Sequence, residues 1–242
     1  MQKDEFKVAV DLEPYRRGKT CFSSTELEVI GEVDGQRVLV LPGSLEEVLS
    51  FLNLGAKVSA PEYPGWTGGA MPADWDGEVE TATASALEGV VPEAWQDARF
   101  RVVYSPWGSL DWLDDIDRWA EEVARALQPG GRLICYDEHP MAYLFGEADG
   151  RLVVEGSYFG SILDEDGDGE PDQEGALGSF GFTLGDLVNA LGFHGLAVCR
   201  LEEFPESDRF PTPLDRFEGV DSDAKSRVAT AMVLVAVKIA LS

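Results

Sequence analysis

Residues 36–41 (QRVLVL) are a short run of β-branched and apolar side chains that stops at Pro42 and Gly43. From Leu45 to Leu54 the apolar residues Leu45, Val48, Leu49, Phe51 and Leu52 share one helical face. Glu46 and Glu47 fall in its first turn, where the helix dipole favours acidic side chains. Gly55 breaks the helix, and 56–60 (AKVSA) reads as a second strand. Strand, turn, helix, glycine and strand in that order predict a βαβ unit with two parallel neighbouring strands.

A second unit follows the same pattern. Residues 99–104 (RFRVVY) form an apolar strand, and 114–127 place Ile116, Trp119, Ala120, Val123 and Leu127 at helical spacing. Pro129-Gly130-Gly131 is expected to end that helix, with 132–136 (RLICY) as the next strand. Leu184–Leu191 reads as a helix stopped by Gly192, with a strand over Gly195–Leu201. Frequent alanine makes Val228–Leu241 compatible with a helix, but its run MVLVAV favours a long final strand. Residues 61–98, punctuated by proline and glycine, read largely as loop, and 157–180 form a second irregular region. Strands alternating with single helices predict an α/β fold, an open sheet covered on both faces.

Charge changes the picture more than composition does. There are 45 acidic against 19 basic side chains, a formal net charge of −26. Such a surface repels phosphate backbones and argues against nucleic-acid binding. Only six of the basic residues are lysine, and none lies between Lys57 and Lys225. Two readings stand side by side: a halophile, whose internal salt screens a dense carboxylate surface, or an ordinary acidic bacterial protein. Three cysteines make no disulfide framework and show no metal-ligand spacing. The first nineteen residues carry no apolar signal core and no run approaches ~20 apolar residues, so a cytoplasmic protein without membrane attachment is expected.

Four segments together resemble the class I S-adenosylmethionine-dependent methyltransferases: VDGQRVLVL (33–41), LNLGAKVSAPE (52–62), residues 100–140 and LGDLVNALGFHGLAVCRLEEFPE (184–206). The middle segment, with its W-x-x-D-x-x-R-W helix, Pro-Gly-Gly and Asp-Glu-His-Pro, is similar to a small bacterial group within that family. The resemblance spans roughly 30–205, and Tyr15–Glu28 suits that group's N-terminal cap. It implies one methyltransferase domain over 1–242, with 1–30 as the cap. The implied fold is a Rossmann-like seven-stranded, mostly parallel sheet with helices on both faces and one antiparallel strand near the C-terminus. The implied cofactor is S-adenosylmethionine, lying outside the carboxyl ends of the strands.

The departures from the family are specific. Its glycine-rich first turn closes on the methionine end of the cofactor. Here that turn reads Leu41-Pro42-Gly43-Ser44-Leu45, about one residue short, with one glycine, and with Pro42 offering no amide donor. The backbone of Gly43, Ser44 and Leu45 is the remaining candidate cradle, and Glu46 and Glu47 would repel a carboxylate there unless turned away. The other reading is a turn kept for packing alone. Glu62, at the end of the second strand, matches the family's ribose-binding acid, or else is a surface residue between prolines. The family's adenine-binding acid falls near residues 81–87, where only Ser85 offers a substitute. Trp107, after the fourth strand, either walls the adenine and sulfonium or packs against the next helix.

His139 follows Asp137 and Glu138 at the end of the fifth strand. It is the candidate catalytic base, with a hydrogen bond in the turn before Pro140 as the alternative. His194, at a helix–strand junction, reads as structural. Asp164, Asp166, Asp168 and Asp172 occupy calcium-loop positions, but Gly175 stands where the bidentate acid belongs. They are weak metal candidates, and a solvated loop is the competing reading. Two functions follow: a methyltransferase acting on a small molecule, or a catalytically silent relative that has lost the cofactor and serves as a binding or scaffolding partner for another protein. A different reaction on the same scaffold is a third, though the first turn lacks the glycines of a nicotinamide-binding site.

Overall fold

Short β-branched runs bounded by glycine and proline become the strands of a seven-stranded sheet. The computed structural model describes residues 10–41, 43–62, 75, 79–83, 91–110, 113, 115–159 and 181–240. In chain order the elements are α1 (Glu13–Arg16), α2 (Ser24–Ile30), β1 (Arg37–Val40), α3 (Leu45–Asn53), β2 (Lys57–Glu62), β3 (Val79–Thr83), β4 (Phe100–Ser105), α4 (Ile116–Ala126), β5 (Leu127–Glu138), β6 (Phe145–Ala148), β7 (Arg151–Val154), α5 (Leu184–Phe193), β8 (Leu196–Phe204), α6 (Ser222–Lys225) and β9 (Ala231–Lys238). The sheet order is β3-β2-β1-β4-β5-β9-β8. Strands β1 to β5 pair in parallel, while β9 runs antiparallel to both β5 and β8. This is the Rossmann-like arrangement expected, with β4 at the middle.

Alternation along each strand divides the core into two layers. Leu39, Val103, Leu133 and Leu234 face α4 and α5, packing on Trp119, Val123, Leu187 and Leu191. Val38, Val102, Ile134 and Val233 face the other way, onto Phe22, Val29, Ile30, Val48 and Phe51 of the α2 and α3 side. Trp119 is therefore core. The final apolar run is a strand, and each of its residues from Ala231 to Ala236 is buried.

Several boundaries differ from the sequence expectation. Helix α4 stops at Ala126, and Pro129-Gly130-Gly131 lies inside β5 as a register shift against β4. Gly131 is needed there because a Cβ would come within 2.9 Å of Phe100 O and 2.8 Å of Gln128 O. Helix α5 runs through Gly192 and ends at Phe193, with His194 as its C-cap and Gly195 following at φ +77°. Strand β3 lies in the proline-rich stretch read largely as loop, where its pattern VETAT has little apolar content. The β6–β7 hairpin was not anticipated, although Asp149-Gly150, both at positive φ, is a recognisable two-residue turn signal.

Candidate functional site

The chain leaves β1 for β2 on one side and returns past β1 to β4 on the other, so the topology switches between β1 and β4. In open α/β sheets the crevice outside the carboxyl ends at that point is the ligand position. Here the two strand ends stay together. Leu41 N donates to Tyr104 O at 2.9 Å, extending the β1–β4 ladder by one residue. A Cβ on Gly43 would lie 2.5 Å from Glu47 Oε2 and 2.9 Å from Pro106 Cγ, so the turns after β1 and β4 are in contact. Ser44 N donates to Glu47 Oε2 at 2.6 Å, which caps α3.

Behind that turn sits a buried charged cluster drawn from three distant segments. Arg209, in the connection after β8, donates to Glu26 Oε1 of α2 and Glu47 Oε1 of α3, both at 2.8 Å. Its Nη2 also lies 2.9 Å from Cys21 Sγ. Tyr104 OH donates to Glu26 Oε1 at 2.5 Å. Glu26 and Glu47 are 0% and 2% exposed, so this pairing is desolvated. Burial pushes the Glu47 carboxyl above the ordinary range, with Arg209 opposing. Burial also lowers Arg209, but Glu47, Tyr104 and Glu26 outweigh it and hold the guanidinium above its usual value. Burial raises Cys21 to about 12, so it is a thiol at neutral pH. Glu46 points elsewhere, accepting from Tyr15 OH at 2.9 Å.

Burial raises the Glu47 carboxyl more than Arg209 lowers it. Its folded pKa exceeds the ordinary 4.5, so the stability it contributes is complete below that value and is lost as pH rises through the folded pKa. Urea unfolding followed upward from pH 4.5 should show the native protein losing stability relative to Glu47→Gln. A constant difference between the two across pH 4–9 would contradict this.

The turn after β4 is held by Asp137. This fully buried carboxylate accepts from Gly108 N at 2.6 Å and Glu138 N at 2.8 Å through Oδ1. Its Oδ2 accepts from Leu110 N at 3.0 Å and Ser109 Oγ at 3.2 Å. Trp107 is thereby aimed at the strap after β8, where Phe210 stacks on it at 5.3 Å and 24°, and Tyr136 lies 5.5 Å away. Its packing partners belong to the strap and β5. His139 is 1% exposed, and its Nδ1 accepts from Met141 N at 3.0 Å. Nε2 stands 2.8 Å from Glu203 Oε1, off the axis of a well-aligned N–H···O bond. Burial lowers its pKa, with Glu203 opposing. His194 caps α5 and approaches Asp117 at 3.1 Å.

The candidate residues are thus partly gathered. Gly43, Ser44, Leu45 and Trp107 surround the switch point, and Glu62 ends β2 with its backbone in register with Thr83. His139 lies at the end of β5, its ring engaged with the following turn and β8. Pro42, Ser85, Asp164, Asp166, Asp168 and Asp172 lie outside the described residues. Among the described residues no helix is long and apolar enough to cross a membrane. Arg209, Glu26 and Asp137 in these roles were not singled out from the sequence. No local spacing connects 26, 47 and 209, although an acidic N3 residue after Ser23 marks Glu26 as a capping-box member.

No protein-family model and no curated protein matches the chain. Solved structures do. An S-adenosylmethionine-dependent methyltransferase from Mesorhizobium loti superimposes with a TM-score of 0.60 at 23% identity, over 87% of this chain and 95% of that one. The [4+2]-cyclase SpnF matches at 0.54 and 18%, over 86% and 77%. A geranyl diphosphate methyltransferase in complex with S-adenosylmethionine matches at 0.54 and 11%, over 93% and 85%. The fold is that of the class I S-adenosylmethionine-dependent methyltransferases. In the turn after β1 the Ser44 amide is engaged by Glu47, and a Cβ on Gly43 would meet Glu47 and Pro106.

Proposed function

We propose that this chain is a methyltransferase-fold protein that acts by binding, as a cytoplasmic partner or scaffold, and no longer takes S-adenosylmethionine at the family's position. The observation that supports this reading is the pairing of Glu47, in the first turn of α3, with Arg209, together with the stacking of Phe210 on Trp107. In this reading Gly43, Ser44 and Leu45 form a packing turn. His139 is a turn-holding group, since its acceptor lone pair is committed to Met141 N. Calorimetry and thermal melts with S-adenosylmethionine and S-adenosylhomocysteine, in salt where the protein is folded, should show neither heat nor a melting shift. A saturable isotherm near one equivalent would overturn the proposal.

A small-molecule methyltransferase is the second reading, favoured by the placement of Glu62 at the end of β2 and by the fold's likeness to the Mesorhizobium loti protein. It would use Gly43–Leu45 for the methionine end, Glu62 for the ribose, Ser85 near the adenine, Trp107 beside the sulfonium and His139 as base. The likeness to a protein named as a cyclase illustrates why the fold alone does not choose between chemistries.

A further inference from the structure

The connection from Pro205 to Thr230 links two antiparallel strands that a two-residue turn could join, so its length serves something other than pairing. Its ends are fastened to each other. Thr230 N donates to Phe204 O and Thr230 Oγ1 to Pro205 O, both at 2.8 Å. Between them, residues 206–212 form a strap over the carboxyl ends of β4 and β5. Tyr136 OH meets Ser207 Oγ at 2.8 Å and donates to Asp208 Oδ1 at 3.1 Å. Ser207 Oγ accepts from Arg209 N at 3.2 Å and Phe210 N at 3.0 Å, fixing the bend that aims both side chains inward.

The Arg209 guanidinium lies against the rings of Phe22 and Phe210, 5.6 and 4.5 Å from their centroids. Its two terminal nitrogens engage different elements, Nη1 on α2 through Glu26 and Nη2 on α3 through Glu47. The N-terminal cap and the strap therefore meet at one cation. Without it, two carboxylates would face each other while buried; Glu47 can take up a proton, and the charge that remains is relieved by hydration that displaces what covers it. Those covers are α2 and the strap, since α2 is anchored by Val29 and Ile30, whereas α3 is bound into the core through Leu45, Val48, Leu49 and Phe51.

We propose that Arg209 is a latch whose guanidinium couples the strap (206–212) to α2 of the N-terminal cap, so that the two covers loosen together when it leaves. The hole it occupies is matched to a planar two-pronged cation, which a lysine ammonium cannot reproduce. This does not depend on whether S-adenosylmethionine binds, because the readout is the protection of two segments of the unliganded chain.

Hydrogen–deuterium exchange of the whole protein tests it. In Arg209→Ala, amides of 206–212 and of 22–31 should both exchange about 10-fold faster or more, with α4 and α5 unchanged. Methylguanidinium chloride at millimolar concentration should restore both segments, and methylammonium chloride at equal ionic strength should not. In Phe210→Ala, which spares the cation, only the strap should loosen. If Arg209→Ala does not fold, Arg209→Lys should lose protection in both segments together. Loosening of the strap with 22–31 unaffected, equal restoration by methylammonium, or loss of both segments in Phe210→Ala would each overturn the latch.

Discussion

Asp137→Ala should cost about 3–5 kcal/mol of folding stability, the largest effect expected of a single side chain at the strand ends. Asp137 is fully buried and accepts from three backbone amides and one hydroxyl at 2.6–3.2 Å. Alanine leaves those donors without this acceptor, and each orphaned buried donor costs about 1–3 kcal/mol, less when several relax together. Asparagine is only a partial repair, because its NH₂ group faces a backbone N–H where the carboxylate presents an oxygen. It should cost at least about half as much as alanine. In a chain of this length the alanine loss corresponds to a melting temperature lower by roughly 6–20 °C. Urea denaturation read by tryptophan emission checks it, and a change below about 1 kcal/mol would show that the turn holds itself.

The strands around Asp137 were legible because a strand covered on both faces writes itself as an unbroken apolar run. QRVLVL, RFRVVY and RLICY all became inner strands, and MVLVAV resolved to β9 against the pull of its alanines. Helix α3 was readable nearly to the residue, since its capping acids and Gly55 bracket a clean apolar face. What escaped had a different physical basis. Strand β3 is at the sheet edge and needs little apolar content, with Glu80 on it held by Ser59 Oγ, Trp95 Nε1 and Arg99. Pro-Gly-Gly looked like a helix terminator because glycine serves that role often, yet here the close approach of Phe100 O demands it within a strand.

The site was legible in its backbone and opaque in its side chains. The short first turn with a single glycine is visible in the sequence, and in the structure a Cβ on that glycine, Gly43, would meet Glu47 and Pro106. Both acids of that turn raised the question of repulsion, and they solve it separately. Glu46 turns to Tyr15, whereas Glu47 remains and is met by Arg209. The answering cation stands 162 residues away in sequence, so no window could have paired them. In a chain with few basic residues, an arginine set between Asp208 and Phe210 is a signal only after the fold brings β8 beside β9 and the strap over β4.

Glu26→Ala should cost about 2–4 kcal/mol, less than Asp137→Ala although both carboxylates are fully buried. The difference lies in what each leaves behind. Glu26 Oε2 accepts from Ser23 N at 2.9 Å as part of the α2 capping box, while Oε1 takes Tyr104 OH and Arg209. After truncation Arg209 still has Glu47, so one cation faces one anion and no net charge is stranded. The cost is then the cap, the cavity and the Tyr104 hydroxyl, which loses its acceptor in a site buried among Phe22 and Phe51. That partition can be measured. Tyr104→Phe in the Glu26→Ala background removes the orphaned hydroxyl and should recover about 1 kcal/mol, whereas in the native background it should be destabilising by a similar amount. Opposite signs in the two backgrounds, read from urea midpoints, identify the hydroxyl as the residual penalty. The same sign in both would mean that water enters the truncated site and satisfies it, placing the cost of Glu26→Ala on the cap and the cavity instead.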